Sequence, residues 1–359
     1  MITTILAFVV VIGIIVFVHE FGHFIAAKLS RVRVEVFSLG FPPKMIGRKF
    51  GETEYQIAWI PLGGYVKMSG MSDESMDENY NPDDPRGFTA QNFGRKIFII
   101  TAGVLMNVLL AFLIYSVITW TEGVSRLTGT ALTIVTADSP AEKAGMVAGD
   151  EVVMVAGQPV KDWASLTNII RANGGREIEI QWRRNDSLCS TKLVPEPTAE
   201  FNLATAKTDI VGKIGVLGTF TTESVGPIAA LGYGATQVWW VVKLNVISLS
   251  ALLTGRARLN DLTGPIGIAK LSGESVRSGF ANFVAFIALI SVSIGFLNLM
   301  PIPMLDGGHL LFIIVESAIR RRIPDKIKIN LMRVGLAALL LLVALVSYHD
   351  IVKIFFTRD

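Results

Sequence analysis

Residues 5–28, ILAFVVVIGIIVFVHEFGHFIAAK, end an unbroken apolar run with two histidines and a glutamate, His19, Glu20 and His23. A membrane-crossing helix needs about 20 mostly apolar residues at a rise of 1.5 Å each. The run therefore predicts a span over residues 1–27, with His19 roughly 25 Å along the helix from Ile2. Two histidines four residues apart share one helix face and can reach one ion, and Glu20 stands beside them. This His-Glu-x-x-His spacing is the one zinc hydrolases use, where the ion lowers the pKa of water to about 7 and a carboxylate takes the proton. Ionisable groups at membrane depth cost several kcal/mol unless paired, so by default they mark chemistry.

The composition supports a membrane protein. Of 359 residues 51% are hydrophobic and 18% charged, against about 25% charged in ordinary soluble chains. The net charge of +3 is too small to indicate a nucleic-acid partner. A single cysteine, Cys189, excludes an internal disulfide framework and any multi-cysteine zinc site. Three further spans are expected, at 97–120, at 280–300 running into a polar segment that ends near 315, and at 334–356. Ten Lys/Arg fall in residues 28–96 and six in 316–333. By the positive-inside rule both stretches are cytoplasmic. The N-terminus, residues 121–279 and the C-terminus then lie on the outer face, the periplasm in a bacterium. Lys28, Arg31 and Arg33 follow the first apolar run instead of preceding it, so it reads as a retained helix and not as a signal peptide.

The expected fold class is thus a polytopic α-helical membrane protein of about four transmembrane helices, with extramembrane β-structure. Within the cytoplasmic-side loop 28–96, VEVFSLGF, TEYQIAWI and GGYVKMSG read as short membrane-associated strands. The acidic stretch 73–87 reads as a solvated loop. Residues 124–197 alternate like strands around a helical WASLTNIIRAN, and SPAEKAGMVAGDEVVMVAGQPV resembles the core of a PDZ domain, an α+β module that binds extended peptides at a sheet edge. In the following region, 198–279, residues 226–260 are apolar but interrupted by Gln237, Lys243 and Asn245. They read as an interfacial amphipathic helix, with a fifth span as the alternative.

Catalytic zinc sites usually keep three protein ligands and one open position, so a third ligand is required. His309 and His349 are the only other histidines. Asp306 is the stronger candidate, since Pro301 and Pro303 break the helix just before it. Irregular backbone at membrane depth is tolerated where it lines a cavity or is buried in protein.

HEFGH in the first span, NLMPIPMLDGG after the third, EYQIAWIPLGGYVKMSG (54–70), GVLMN (103–107) and LTGPIGIAK (262–270) together resemble the site-2 proteases. These are intramembrane zinc metalloproteases of peptidase family M50, and the likeness is to their bacterial RseP-like branch. It covers nearly the whole chain. It implies one zinc ion held by His19, His23 and Asp306, with Glu20 as catalytic base. It implies substrate contacts at Asn298, Pro301, Pro303, Gly63, Gly64 and Asn107, although a helix–helix hydrogen bond explains Asn107 equally well. Gly103 reads as a close helix-packing position. The implied substrates are single-span membrane proteins of the anti-sigma-factor type, already trimmed outside the membrane, or remnant signal peptides. The implied location is the bacterial inner membrane, in contact with lipid and with no nucleic acid. The best-known members of that branch carry tandem PDZ domains, whereas 124–197 has room for one. A non-catalytic PDZ scaffold is the alternative, and it would need neither Glu20 nor Asp306.

Overall fold

The computed structural model describes residues 2–71, 84–202, 207–257 and 262–356. Most of the acidic stretch 73–87 lies outside them. The chain begins with α1 (Ile2–Leu29), β1 (Val34–Phe50), β2 (Thr53–Met68) and α2 (Phe93–Glu122). Next come β3 (Val124–Val135), α3 (Pro140–Lys143), β4 (Glu151–Val155), β5 (Gln158–Pro159), α4 (Trp163–Ala172), β6 (Ile178–Arg184) and β7 (Ser187–Leu193). Then follow β8 (Glu196–Asn202), β9 (Lys207–Lys213), β10 (Val216–Glu223) and α5 (Pro227–Leu253). The chain closes with α6 (Pro265–Arg277), α7 (Phe280–Asn298), α8 (Asp306–Ile319) and α9 (Asp325–Phe356). Two compact units result, Met1–Ile118 with Pro227–Asp359, and Thr119–Gly226.

In the first unit α1 contains no proline and runs unbroken until Arg31 takes a left-handed conformation, φ 61°. The amide of Val32 then bonds to the carbonyl of Ala27 and that of Arg31 to Lys28, closing the helix end and turning the chain into β1. Val11 and Ile15 of α1 pack with Phe286 and Ile287 of α7, and His19 meets Asn298 at the far end of α7. The two helices therefore run side by side in one direction. α2 runs against them, with Ile99 beside His23 and Asn107 beside His19. α9 also runs against them. Its early residues Ile329 and Met332 pack on Phe312. Near its end, Asp350 accepts from the amides of Gly264 and Gly267, at 3.2 and 2.8 Å. That buried carboxylate thereby caps the start of α6, which explains a buried charge near the end of α9.

Among the described residues five helices are long and apolar enough to cross a membrane by length and composition: α1, α2, α5, α7 and α9. The additional one is α5, the stretch read from sequence as interfacial. Val238 and Val241 on one face pack against Ala111 of α2 and Ala288 and Val292 of α7. Asn245, which looked like an interruption, donates to the Val241 carbonyl and to Ser293. Its polar amide is thus satisfied within the bundle. α5 descends to the level of Ser293, while Gly273 on α6 lies against Thr4, at the opposite end of α1.

β1 and β2 pair antiparallel with several register shifts. The first half of β1 has partners on both sides, from Gly64 to Met68 and from Glu54 to Ile57. Residues 44–50 and 64–68 are thereby left as the outer segments. The short strands expected from sequence are instead two long, bent ones. Their inner end is fixed to the helices by Val34, Phe37, Val66 and Met68, which share a core with Ala26, Ala27, Ile99 and Ile100.

The second unit is built on a sheet ordered β10-β3-β4-β6-β7, with β5 on β4 and a separate β8–β9 hairpin. The sheet thus takes in β10, beyond the 124–197 stretch. On β6, Ile178, Ile180 and Trp182 alternate inward and meet Leu132, Val152, Val155 and Leu166. Each such side chain contributes about 1.5–3 kcal/mol by burial. Asp162 caps α4 in a reciprocal pair with Ser165. Asp150, fully buried, takes both ends of the Arg184 guanidinium at 2.7 and 2.8 Å and the Val147 amide at 2.8 Å. The guanidinium's hydrogen bonds hold its carboxyl below the usual carboxylate range.

Candidate metal centre

α1 carries His19 and His23 on the face turned into the bundle, and both are buried. Their Nε2 atoms lie 3.2 Å apart. Asp306, the first residue of α8, brings Oδ2 to 3.1 Å from His19 Nε2 and Oδ1 to 3.3 Å from His23 Nε2. Oδ2 is buried and, despite that closeness, has no directed hydrogen bond. Asp306 reaches this point because the chain breaks after α7. Leu305 bonds back to Ile302, and Met304 adopts φ 86°. Gly307 and Gly308 let α8 start against the carbonyls of residues 299–302, where a Cβ at either position would overlap main-chain atoms.

This donor set fits zinc. Bond lengths of about 2.0–2.2 Å around a tetrahedral ion place its ligand atoms roughly 3.3 Å apart. Two ring nitrogens facing each other and one carboxylate can share too few protons to satisfy all their lone pairs, whereas a cation at their meeting point satisfies them. Among the described residues no other cluster of three His, Cys, Asp or Glu side chains meets this description.

α2 supplies the floor. His23 Nδ1 lies 2.9 Å from the Ile99 carbonyl, which fixes that ring with its Nε2 inward. A Cβ at Gly103 would come within 2.8 Å of His19 Cε1 and nearer still to His23 Nε2. The residue read as a helix-packing glycine therefore makes room for the two imidazoles. One turn on, Asn107 is fully buried with Nδ2 3.3 Å from His19 Nδ1.

The remaining sequence-derived residues divide. Glu20 is half-buried, and a Cβ on Gly64 would lie 3.0 Å from its Cγ, so the β2 segment runs past the carboxylate. Asn298 brings Nδ2 to 3.2 Å from His19 Nε2. Gly63 lies against the Phe41 ring instead. Pro303 packs on Gly335 of α9, and Pro301 is exposed. His349 stacks edge-on to Tyr348 towards the end of α9, away from the centre. His309 is buried with Nε2 unpartnered. It lines a cavity of about 50 Å³ together with Lys96, Glu316 and Lys328.

Two imidazoles and an adjacent glutamate on the apolar α1, with the Asp306 carboxylate brought in from α8, form a donor set of the kind metallopeptidases use. Residues 7–342 match the profile of peptidase family M50. The chain belongs to that family and is a metalloprotease. It is 33% identical to a Clostridium acetobutylicum chain that carries the name zinc metalloprotease, covering 95% of each. It is 30% identical to the regulator of sigma-E protease of Salmonella typhimurium, covering 96% of this chain and 97% of that one. The PDZ domain of an SdrC-like protein from Listeria innocua is also similar, at 19% identity and a TM-score of 0.20, covering 25% of this chain and 92% of that one.

Proposed function

We propose that this metalloprotease cuts peptide bonds within the membrane spans of single-span proteins, with one zinc ion held by His19, His23 and Asp306. The observation that carries this reading is the convergence of those three side chains at 3.1–3.3 Å deep in an apolar bundle. When bound, zinc polarises a carbonyl and lowers the pKa of water to about 7. Glu20 takes the proton of the attacking water and later returns it to the leaving amine. Asn298, beside the histidines, donates its amide to the backbone of the substrate.

A substrate helix has its amides satisfied internally and must unwind before attack. The outer β2 segment 64–68, passing Glu20, gives the unwound stretch a strand to pair with. Water reaches the centre from the basic-loop side, where Lys96, Glu316 and Lys328 line the cavity at His309. The N-terminus, the C-terminus and the Thr119–Gly226 unit face the periplasm across a bacterial inner membrane. That unit, with a single PDZ-type sheet, captures exposed peptide ends of the incoming protein. The substrates best matched are anti-sigma factors already trimmed outside, and remnant signal peptides. The test incubates detergent-solubilised protein with single-span substrates, with and without a zinc chelator. Chelator-sensitive cuts inside the span are expected, and cuts confined to extramembrane segments would overturn the reading.

A further inference from the structure

A neutral imidazole has one N–H. If His19 offers the Nε2 lone pair to a metal, its proton sits on Nδ1 and needs an acceptor. The side chain facing Nδ1 is the Asn107 amide, at 3.3 Å, and the Gly103 main-chain carbonyl also reaches the ring. Around the amide are Ser291, whose hydroxyl donates 2.9 Å to the Asn107 main-chain carbonyl, and Gly295, where a Cβ would sit 3.4 Å from Asn107 Cβ. Asn107 and Ser291 are both fully buried. The amide is thus locked between α1 and α7, with no room for a substrate chain.

One detail decides its role. With nitrogen toward His19, Asn107 Oδ1 is buried without a partner, which costs about 1–3 kcal/mol. The two ends of an amide have the same shape, so the chemistry of the neighbour decides which end faces it. Exchanging them turns Oδ1 to the Nδ1–H of His19 and gives that oxygen a donor. The same stripe of α2 then serves both histidines. The main-chain carbonyl of Ile99 holds His23, Gly103 gives space, and Asn107, eight residues on from Ile99, holds His19.

We propose that Asn107 is a positioning residue whose side-chain carbonyl accepts the Nδ1–H of His19 and so aims its Nε2 lone pair at the metal position. This rests on the metal-centre reading above and replaces the substrate contact expected of Asn107. Outer partners of this kind orient histidine ligands in other zinc sites, and losing one costs about 10–100-fold in metal affinity.

The test titrates the full-length, metal-stripped protein in detergent with Zn²⁺ against a chromophoric chelator. Asn107→Leu, close to isosteric and apolar, is expected to bind zinc about 10–100-fold more weakly than the native chain. Asn107→Asp keeps an acceptor oxygen and is expected to bind close to the native level. A Leu variant with native affinity overturns the proposal, as does equal weakening in both variants, which a packing role alone would give. A native chain that takes up no zinc overturns the metal-centre reading and this proposal with it. A measurement that needs no variant is the ¹⁵N spectrum of the zinc-loaded, histidine-labelled native protein. His19 is expected to show a protonated Nδ1 and a metal-bound Nε2, and the opposite tautomer overturns the proposal.

Discussion

Asp150 and Asp306 are both buried, 0% and 8% exposed, yet their surroundings treat them oppositely. In the sheet unit, Asp150 is met on both oxygens by Arg184 and by a main-chain amide. In the helical unit, Asp306 faces two imidazoles that are themselves acceptors or weak donors, and one of its oxygens lacks any directed bond. A buried carboxylate whose lone pairs are all answered by protein donors holds a fold together. One whose lone pairs converge with those of other ligands is arranged for something the protein itself does not supply.

The largest effect that bears on this contrast belongs to Glu20. Glu20→Gln is expected to lower cleavage by about 10²–10⁴-fold while zinc content, by metal analysis, stays at the native level. Retained cleavage would remove Glu20 as the base. Next is Asp306→Asn, which is expected to drop zinc content and cleavage together without lowering the unfolding temperature of the metal-free protein, since no donor pair is broken. A metal-free variant clearly less stable than the native chain would make Asp306 a structural carboxylate like Asp150.

Asp150→Asn is expected to do the reverse. It should cost about 1.5–3 kcal/mol, read as faster amide exchange in β3, β4 and β6, with zinc content unchanged. The Asp150 carboxyl is held low by Arg184. Its stabilisation is therefore complete above the unfolded pKa of about 3.9 and is lost as pH falls through the lowered folded value. Native and variant exchange rates should converge in acid, and a gap that persists there would show that the pair is not the cause. The smallest effect is expected for Lys28→Ala. Its partner Glu52 is 3.0 Å away and both side chains are about one-third exposed, so thermal melts should move by less than about 1 kcal/mol.

Much of this was legible in the chain. An apolar run ending in His19, Glu20 and His23, followed far downstream by Asp306 beside two prolines, has few readings that do not involve a metal. The strand alternation around Ile178, Ile180 and Trp182 was equally plain, because burial of one sheet face writes a period of two into the sequence. Other features were not legible. Polar residues in α5 looked like interruptions, because a single chain does not show that Asn245 has Ser293 to bond with. The Ile99 carbonyl beside His23 is main chain and leaves no mark in residue type. Asn107 was visible as a polar residue in an uncharged span, but whether it faced substrate, a neighbouring helix or a ligand depended on what lay across from it.

Residue type and spacing alone set the chemistry and the solvent: which side chains can hold a metal, and that a lipid-length helix carries them. Those depend on residue type and on the helical period, which are local. Tertiary structure alone decided the convergence of Asp306 with the dyad, nearly 290 residues downstream of His19 in a chain of 359. It alone also turned Gly103 into the space for two imidazoles and set Asn107 on His19 Nδ1. Those depend on how α1, α2 and α7 pack, and the direction in which a side chain meets its neighbour is a property of the packed helices and of no single segment.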